Sequence, residues 1–600
     1  MNRPVVPDAR WLWENEPCRA ACPVHTDAGA YVTAIGEGRF HDAYVHARQH
    51  NPFPSICGRV CAAPCETSCR RGSIDLPIAI RALKRFVTEQ FGVEAFAGAE
   101  QWHQAHGEVP AATLPSVGII GAGPGGMSAA HDLRLAGHPV TVYEAESQLG
   151  GMIYYGVPEY RLPRALIERE NDAIIEMGVE VIRNCRVGTD IQFDELLSRH
   201  SAILVAVGAA RGRDLQIPGH DLDGVTTAIE FLLNVNRGYR VVLGERVVVV
   251  GGGNVAFDAA RTALRDAAMG GGQPNEDEAT QADDARRELT TSLDAARAAL
   301  RAGVKHVTVV SLESFEEMPA ALEEIEEAEA EGVHIRFRRG PQRVTGEGRV
   351  TGLETIEVAS VFDEHGRFSP TFNPGTEETF EADSVILAVG QAPDIAFLGD
   401  VELTRNRFGG VAVDEGLRSS DPRIWAAGDV AFGPRNLINA VADGQRAAAS
   451  IHAALTGATA PVAQEVRINL IAKPAFRRLA TDYDAVKRVV VPGLPHDRRS
   501  GFAEVETGYD RGQAVLEGQR CLRCFENIML RPELCILCGL CVDVCPYDCI
   551  HIVRADTIGA GTAAQSALTI DEDQCIRCGL CINRCPPAAL VMVHAQEVAR

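Results

Sequence analysis

Sixteen of the eighteen cysteines in this chain of 600 residues stand at short, repeated spacings. Eight of them form two copies of one pattern, Cys535-x2-Cys538-x2-Cys541-x3-Cys545-Pro546 and Cys575-x2-Cys578-x2-Cys581-x3-Cys585-Pro586. Thiolates two residues apart can turn toward one centre, and in paired runs of this spacing the fourth cysteine ligates the other centre. The spacing predicts one [4Fe–4S] cluster on Cys535, Cys538, Cys541 and Cys585. Its twin falls on Cys575, Cys578, Cys581 and Cys545. A structural zinc ribbon competes, since CxxC pairs also bind zinc. Zinc needs neither the third cysteine step nor the trailing Cys-Pro, so single-electron chemistry is the better reading.

Two glycine-rich turns point to a second kind of chemistry. Ser-Val-Gly-Ile-Ile leads into Gly121-Ala-Gly123-Pro-Gly-Gly126 and a helical stretch. Gly121 allows the tight turn, Gly123 lets backbone approach a pyrophosphate, and Gly126 permits close helix–strand packing. The diphosphate then sits on a helix N-terminus. The next strand ends in Glu144, placed to hold ribose hydroxyls, and Gly150-Gly151 follow. Far downstream, the apolar strand SVILAVG (384–390) precedes IWAAGDV (424–430), where Asp429 suits the ribityl chain of FAD. Asn439-Ala-Val-Ala-Asp443-Gly444 then opens a helix that could face the flavin ring. Between these segments RVVVVGGGNVAFDAARTAL carries Gly251, Gly253, Asn254 and Ala256 in a GxGxxA arrangement. That position fits a nicotinamide nucleotide whose ring stacks on the flavin. The following strand ends in Ser311-Leu312-Glu313 rather than in the arginines that accept a 2′-phosphate, which favours NADH over NADPH.

The elements that must position these residues divide the chain. Six hundred residues suggest about three to five domains, and 46% hydrophobic with 23% charged residues is a globular composition. No apolar stretch approaches the roughly 20 residues of a membrane-spanning helix, and the first residues show no apolar signal core. Metal-type cysteine spacings in such a chain point to a reducing, cytoplasmic compartment. A net charge of −23 argues against nucleic-acid binding. Cysteines gather at 18–69 and 521–585, while the middle carries only Cys185. Residues 266–298 read as an acidic insertion, part loop and part helix, and 456–520 as a connection lacking strong periodicity.

The order of motifs PCxxxCP (17–23), CGRVCAAPCETSCRRG (57–72), PIAIRALKRF (77–86), GAGPGGMSAA, GGMIYYGVPEYRLP (150–163), GGGNVAFDAARTA, EEMPA (316–320) and AAGDV resembles the glutamate synthase small-subunit family. The flavin half of dihydropyrimidine dehydrogenase belongs to the same group, and residues 531–600 resemble a bacterial two-cluster ferredoxin. The resemblance implies a multidomain chain with a helical iron–sulfur domain at 1–112 and an FAD domain split between 113–224 and 381–456. A Rossmann-like NAD(P) domain (225–380) is inserted in it, and a linker with a CxxC segment (457–530) leads to an α+β ferredoxin-like domain (531–600). The relatives carry an extra CxxC just before PCxxxCP, where this chain has WLWENE. The stretch FAEVETGYDRGQAVLEGQRCLRC (502–524) resembles that missing segment. By the relatives' interleaved pattern, Cys18 and Cys69 then join Cys521 and Cys524. Cys22, Cys61 and Cys65 hold a second cluster, with Cys57 as candidate fourth ligand. One N-terminal cluster with spare thiols is the alternative.

These readings converge on an NAD(P)H-dependent FAD and iron–sulfur oxidoreductase without a catalytic acid–base pair or nucleophile. Its partner would be a ferredoxin, a 2-oxoacid oxidoreductase or a larger reductase subunit. An electron-input subunit of a larger glutamate-synthase-like complex, or a non-catalytic redox sensor or cluster carrier, are the alternatives. Cys185 and Cys549 read as inert thiols, and His25 and His131 as structural or exposed.

Overall fold

The computed structural model describes residues 5–95, 107–239, 241–268, 304–399, 401–458, 466–471, 485–495, 498–499 and 503–597. The stretch read as an insertion lies outside the described residues beyond position 268. The chain forms two compact units. A central one comprises residues 109–456 with 493–507, and a cysteine-rich one joins 1–108, 457–492 and 508–600.

In the central unit the first fingerprint strand, Val117–Ile120, is buried along its whole length. It runs parallel to Val140–Tyr143 on one side and Ala202–Val205 on the other, and Glu180–Ile182 and Ile424–Ala426 complete a five-stranded sheet. Continuous apolar strands of this kind suit a parallel sheet covered on both faces. The last strand arrives after a second domain has been completed, so one domain is inserted in the other. That inserted domain has its own parallel sheet, in the order Val225–Thr227, Ser384–Leu387, Arg246–Val250, His306–Val310, His334–Arg336. The strand Ser384–Leu387, expected to open the second flavin segment, therefore pairs with the nicotinamide-side fingerprint strand instead, Val385 opposite Val248. Its four buried residues fit either sheet by pattern, and the parallel ladder decides.

Buried charge joins the two domains. Arg161, in the GVPEYRLP segment, reaches Asp258 at 2.7 and 2.9 Å and Glu324 at 2.6 Å. Tyr160 lies beneath the guanidinium groups of Arg261 and Arg265, at 5.1 and 4.0 Å from its ring centre. Both arginines pair with Glu331.

The cysteine-rich unit is built from both ends of the chain. Short helices at Ala28–Gly36, Phe40–Gln49, Pro54–Val60 and Ile80–Phe91 make the N-terminal part. The segment read as a connection lacking strong periodicity contributes two elements. Val466–Ile471 alternates apolar and polar residues and pairs antiparallel with Leu590–Glu597, beside Glu526–Leu530. Arg511–Gln519 is a helix whose N-cap Asp510 and Gln513 form a reciprocal capping box. This helix crosses Ala28–Gly36 at a glycine pair: a methyl group on Gly36 would stand 2.8 Å from the Gly518 carbonyl carbon.

A buried ionic lattice closes the crossing. Glu517 accepts from the amides of Ala79 and Val489, both at 2.9 Å, and from Arg520 at 2.6 Å. Arg520 also donates to both oxygens of Asp75 at 3.0 Å. Removing one partner of a buried pair costs about 3–5 kcal/mol, because the other charge is left without compensation. Glu517→Ala is therefore expected to lower the apparent stability of this unit by about that amount. Chemical denaturation followed by circular dichroism should show its transition moving to lower denaturant, while that of the central unit stays in place.

Candidate functional site

The first glycine turn has the geometry of a phosphate cradle. Gly121 has φ +101° and donates to the Tyr143 carbonyl at 2.9 Å. A methyl group on Gly126 would stand 2.0 Å from the Gly121 oxygen, whereas one on Gly123 would meet nothing within 4 Å. Gly123 thus faces open space at the N-cap of helix Pro124–Leu135, where amides and helix dipole favour an anion. Glu144 accepts from the amides of Ala122 at 2.7 Å and Glu146 at 2.9 Å, which fixes its carboxylate beside the turn. Gly151 folds back so that its own methyl position is 3.1 Å from the Gly123 Cα. From the late segment, Asp429 starts helix Asp429–Phe432, and burial pushes its carboxyl up to about 6 against the opposing effect of the Arg435 amide. Gly444 lets helix Leu437–Thr456 lie on Pro124–Leu135, its Cβ position only 2.2 Å from the Gly125 oxygen. These residues fit the diphosphate, ribose and ribityl parts of FAD.

The second turn repeats the arrangement. Gly251 has φ +145° and donates to the Val310 carbonyl at 2.9 Å, Gly253 faces open space, and Ala256 is buried in the first turn of the helix that Asn254 begins. Asn254 accepts from the Ala321 amide at 2.8 Å, and Ala320 donates to the Gly252 carbonyl, so the EEMPA segment packs over the turn. Glu313 lies against the same turn, its Oε2 2.7 Å from the Cβ position of Gly252 and accepting from the Ser311 hydroxyl at 2.5 Å.

The cysteines gather in fours. Cys18, Cys69, Cys521 and Cys524 line one cavity together with Glu16 and Arg70. Burial pushes the Cys521 thiol up to about 12, with Cys524 and Cys69 adding to it. Arg70 is mostly buried there, and its Nε and Nη1 have no hydrogen-bond partner among the described residues. A buried guanidinium facing four thiols fits a group that keeps those thiols ionised and carries net negative charge. Cys22, Cys57, Cys61 and Cys65 meet around Lys84 of helix Ile80–Phe91. Burial opposes the ammonium charge, and the four sulfurs outweigh it, holding Lys84 above its ordinary range.

The C-terminal repeat forms two further sets. Cys535, Cys538, Cys541 and Cys585 line one cavity. Cys575 and Cys545 flank Cys578, and Cys581 faces Cys575 and Cys578. The backbone repeats with the sequence: Leu537 and Arg577, each third in its CxxC, have φ of 52° and 59°. Asp548 and Ala588, after each Cys-Pro, have 48° and 53°. Residues without a glycine's freedom hold this left-handed conformation only where their surroundings require it. Here it turns both thiols of a pair to one side. Arg523, between Cys521 and Cys524, shows the same turn at 54°. Among the described residues no three His, Cys, Asp or Glu side chains converge tightly enough for a single metal ion. The third cysteine step and trailing Cys-Pro of the repeat suit a four-iron cube better than zinc.

Sequence reading missed the charged residues between the thiols: Glu16, whose carboxylate lies 3.2 Å from the Cys18 sulfur, Arg70, Lys84 and Arg577. Only the positions of Arg70 beside Cys69 and Arg577 inside a CxxC could have signalled them. Cys549 is buried with its sulfur 3.3 Å from that of Cys545, and Cys185 is half-buried. His131 is buried and bonded to Asp132 at 2.5 Å.

Comparison with known proteins agrees with this geometry. A family described as pyridine nucleotide-disulphide oxidoreductase matches residues 115–444. The 4Fe-4S cluster domain II of dihydropyrimidine dehydrogenase matches 12–95, and a 4Fe-4S dicluster domain matches 534–589. The β subunit of NADP(+)-dependent formate dehydrogenase from Moorella thermoacetica is 35% identical over 547 residues, covering 86% of this chain and 71% of that one. The β subunit of NADPH-Fe(3+) oxidoreductase from Geobacter sulfurreducens is 32% identical over 557 residues, 86% of this chain and 75% of its own. The small chain of glutamate synthase [NADPH] from Azospirillum brasilense is 32% identical over 456 residues, 74% and 88%. Fold and sites define a flavin- and nicotinamide-dependent iron–sulfur oxidoreductase. The chain belongs to the pyridine nucleotide-disulphide oxidoreductase family, with iron–sulfur domains at both ends of its nucleotide-binding core. Among the described residues no helix is long and apolar enough to cross a membrane.

Because Gly126 has no room for a side chain, Gly126→Ala forces helix and turn apart at about 1–3 kcal/mol. Flavin affinity should fall by roughly five- to hundredfold, read as flavin released per chain on ultrafiltration.

Proposed function

We propose that this chain oxidises NADH and sends the electrons out singly, through four [4Fe–4S] centres, to a protein partner. When bound, FAD supplies the conversion from two-electron to one-electron chemistry, since nicotinamide gives a hydride and each cluster takes one electron. The observation that carries the reading is the distribution of sulfur. From residue 109 to 456 the chain has one cysteine, Cys185, so the nucleotide-binding core offers a flavin no thiol pair of its own. The sixteen others with metal-type spacing gather in four groups of four, which supports an exit through clusters.

Roles follow for the residues. Gly121, Gly123 and Gly126 with their helix hold the FAD diphosphate, Glu144 its ribose, and Asp429 with the Gly444 helix the ribityl and ring end. Gly251, Gly253, Asn254 and Ala256 hold the nicotinamide nucleotide. Glu313 supports NADH, because its carboxylate would repel a 2′-phosphate and can accept from a ribose diol. The named relatives that use NADPH favour the other donor, and Arg338, bonded through its amide to the Glu313 carbonyl, is the residue that would serve it. Its guanidinium is already engaged by Glu317 at 2.8 Å. Those relatives are named as β subunits, which supports an electron-input role within a larger assembly.

Rapid anaerobic mixing with each nucleotide tests the reading. NADH should bleach the flavin and then the cluster absorbance, with kcat/KM about tenfold above that for NADPH, and Glu313→Arg should reverse the preference. A flavin that neither nucleotide bleaches would make the chain a sensor or carrier. Cys521→Ser should remove about four irons per chain, the content of one cube. Unchanged iron would leave Cys521 outside the ligand set.

A further inference from the structure

The C-terminal repeat is symmetric in its cysteines and asymmetric in one charge. Leu537 and Arg577 occupy the same position and share the same left-handed backbone. Leu537 is 40% exposed, and its neighbour Cys538 is exposed too, whereas Arg577 is 4% exposed. Arg577 donates through Nη1 to the Cys575 carbonyl at 2.8 Å and through Nη2 to the Asn527 side-chain oxygen at 3.0 Å. It also pairs with Glu572. Its Nε has no hydrogen-bond partner among the described residues. Asn527 stands three residues after Cys524, so one guanidinium ties the Cys575–Cys578 turn to the segment carrying Cys521 and Cys524. Arg70, which lines the cavity of those two cysteines, lies 3.6 Å from Asp573 on the same C-terminal loop.

We propose that Arg577 is a positioning residue shared by two cluster sites. It seats the Cys575 loop on the Cys521–Cys524 segment and holds a fixed positive charge between the two sets of thiolates. The inference rests on the cluster assignment proposed above and adds an order to it: the Cys575 site is the inner member of the repeat, the Cys535 site the outer one. Cluster potentials respond to net charge, hydrogen bonding and exposure. In a water-poor interior a guanidinium at this place is screened weakly, so it favours the more negative, reduced state of both inner sites. No bond or proton transfer is involved.

The test is a redox titration of the complete, cluster-loaded chain followed by electron paramagnetic resonance, with iron measured on the same samples. Wild type should contain about sixteen irons; a deficit there contradicts the cluster reading, not the role of Arg577. At full iron, Arg577→Gln should lower the midpoint potentials of two centres together and leave the other two in place. Arg577→Lys should restore most of the shift. Glu572→Gln, which removes the compensating carboxylate, should raise the same two potentials, a sign that loss of structure does not produce. If Arg577→Gln fails to retain iron, Glu572→Gln decides alone. Unchanged potentials in Glu572→Gln, or a shift spread over all four centres, would overturn the proposal.

Discussion

The cysteine-rich unit depends on one crossing. Helices Ala28–Gly36 and Arg511–Gln519 touch backbone to backbone because Gly36 and Gly518 leave no side chains between them. Glu517, Arg520 and Asp75 then lock the contact in a buried lattice spanning 445 residues of sequence. Directly after that lattice come Cys521 and Cys524, delivered to the cavity that holds Cys18 and Cys69. A loose tether could bring two thiols near, but it could not fix four around one space. The crossing turns a late CxxC into part of an early domain, and it determines where strand Glu526–Leu530 and the repeat after it begin.

Charge is placed to suit the chemistry in each unit. In the central unit the buried arginines between its two domains are paired with carboxylates: Arg161 with Asp258 and Glu324, Arg261 and Arg265 with Glu331. Such lattices hold the nicotinamide domain against the flavin segment without using up an anion-binding site, which the glycine turns keep open. In the cysteine-rich unit some buried cations lie beside thiols as well, Lys84 at one set, Arg70 and Arg577 near others. Burying cations without full carboxylate pairing is costly, and it becomes intelligible once the thiols carry negative charge.

Much of this was legible in the sequence because the signals are local. Ligand spacing and the glycine fingerprints act over three to six residues, and the backbone has to obey them wherever the chain goes. The folding back of Cys521 and Cys524 was readable only through family resemblance, since nothing in a CxxC says which distant thiols complete it. Strand Ser384–Leu387 reads equally well in either sheet, because four buried residues carry no partner information. Val466–Ile471 was passed over because an edge strand of six residues, half exposed, resembles a loop until its partner Leu590–Glu597 is known. Lys84 looks like a surface charge in sequence, and only burial reveals it.

The central claim is that both ends of the chain combine to hold four clusters in a protein that also binds one flavin. Anaerobic reductive titration of the purified protein, counting electrons taken up per chain, tests it most directly. The account predicts uptake of about six electrons, two for the flavin and one for each of four clusters. Uptake of about five or fewer from fully iron-loaded, flavin-replete protein would contradict it.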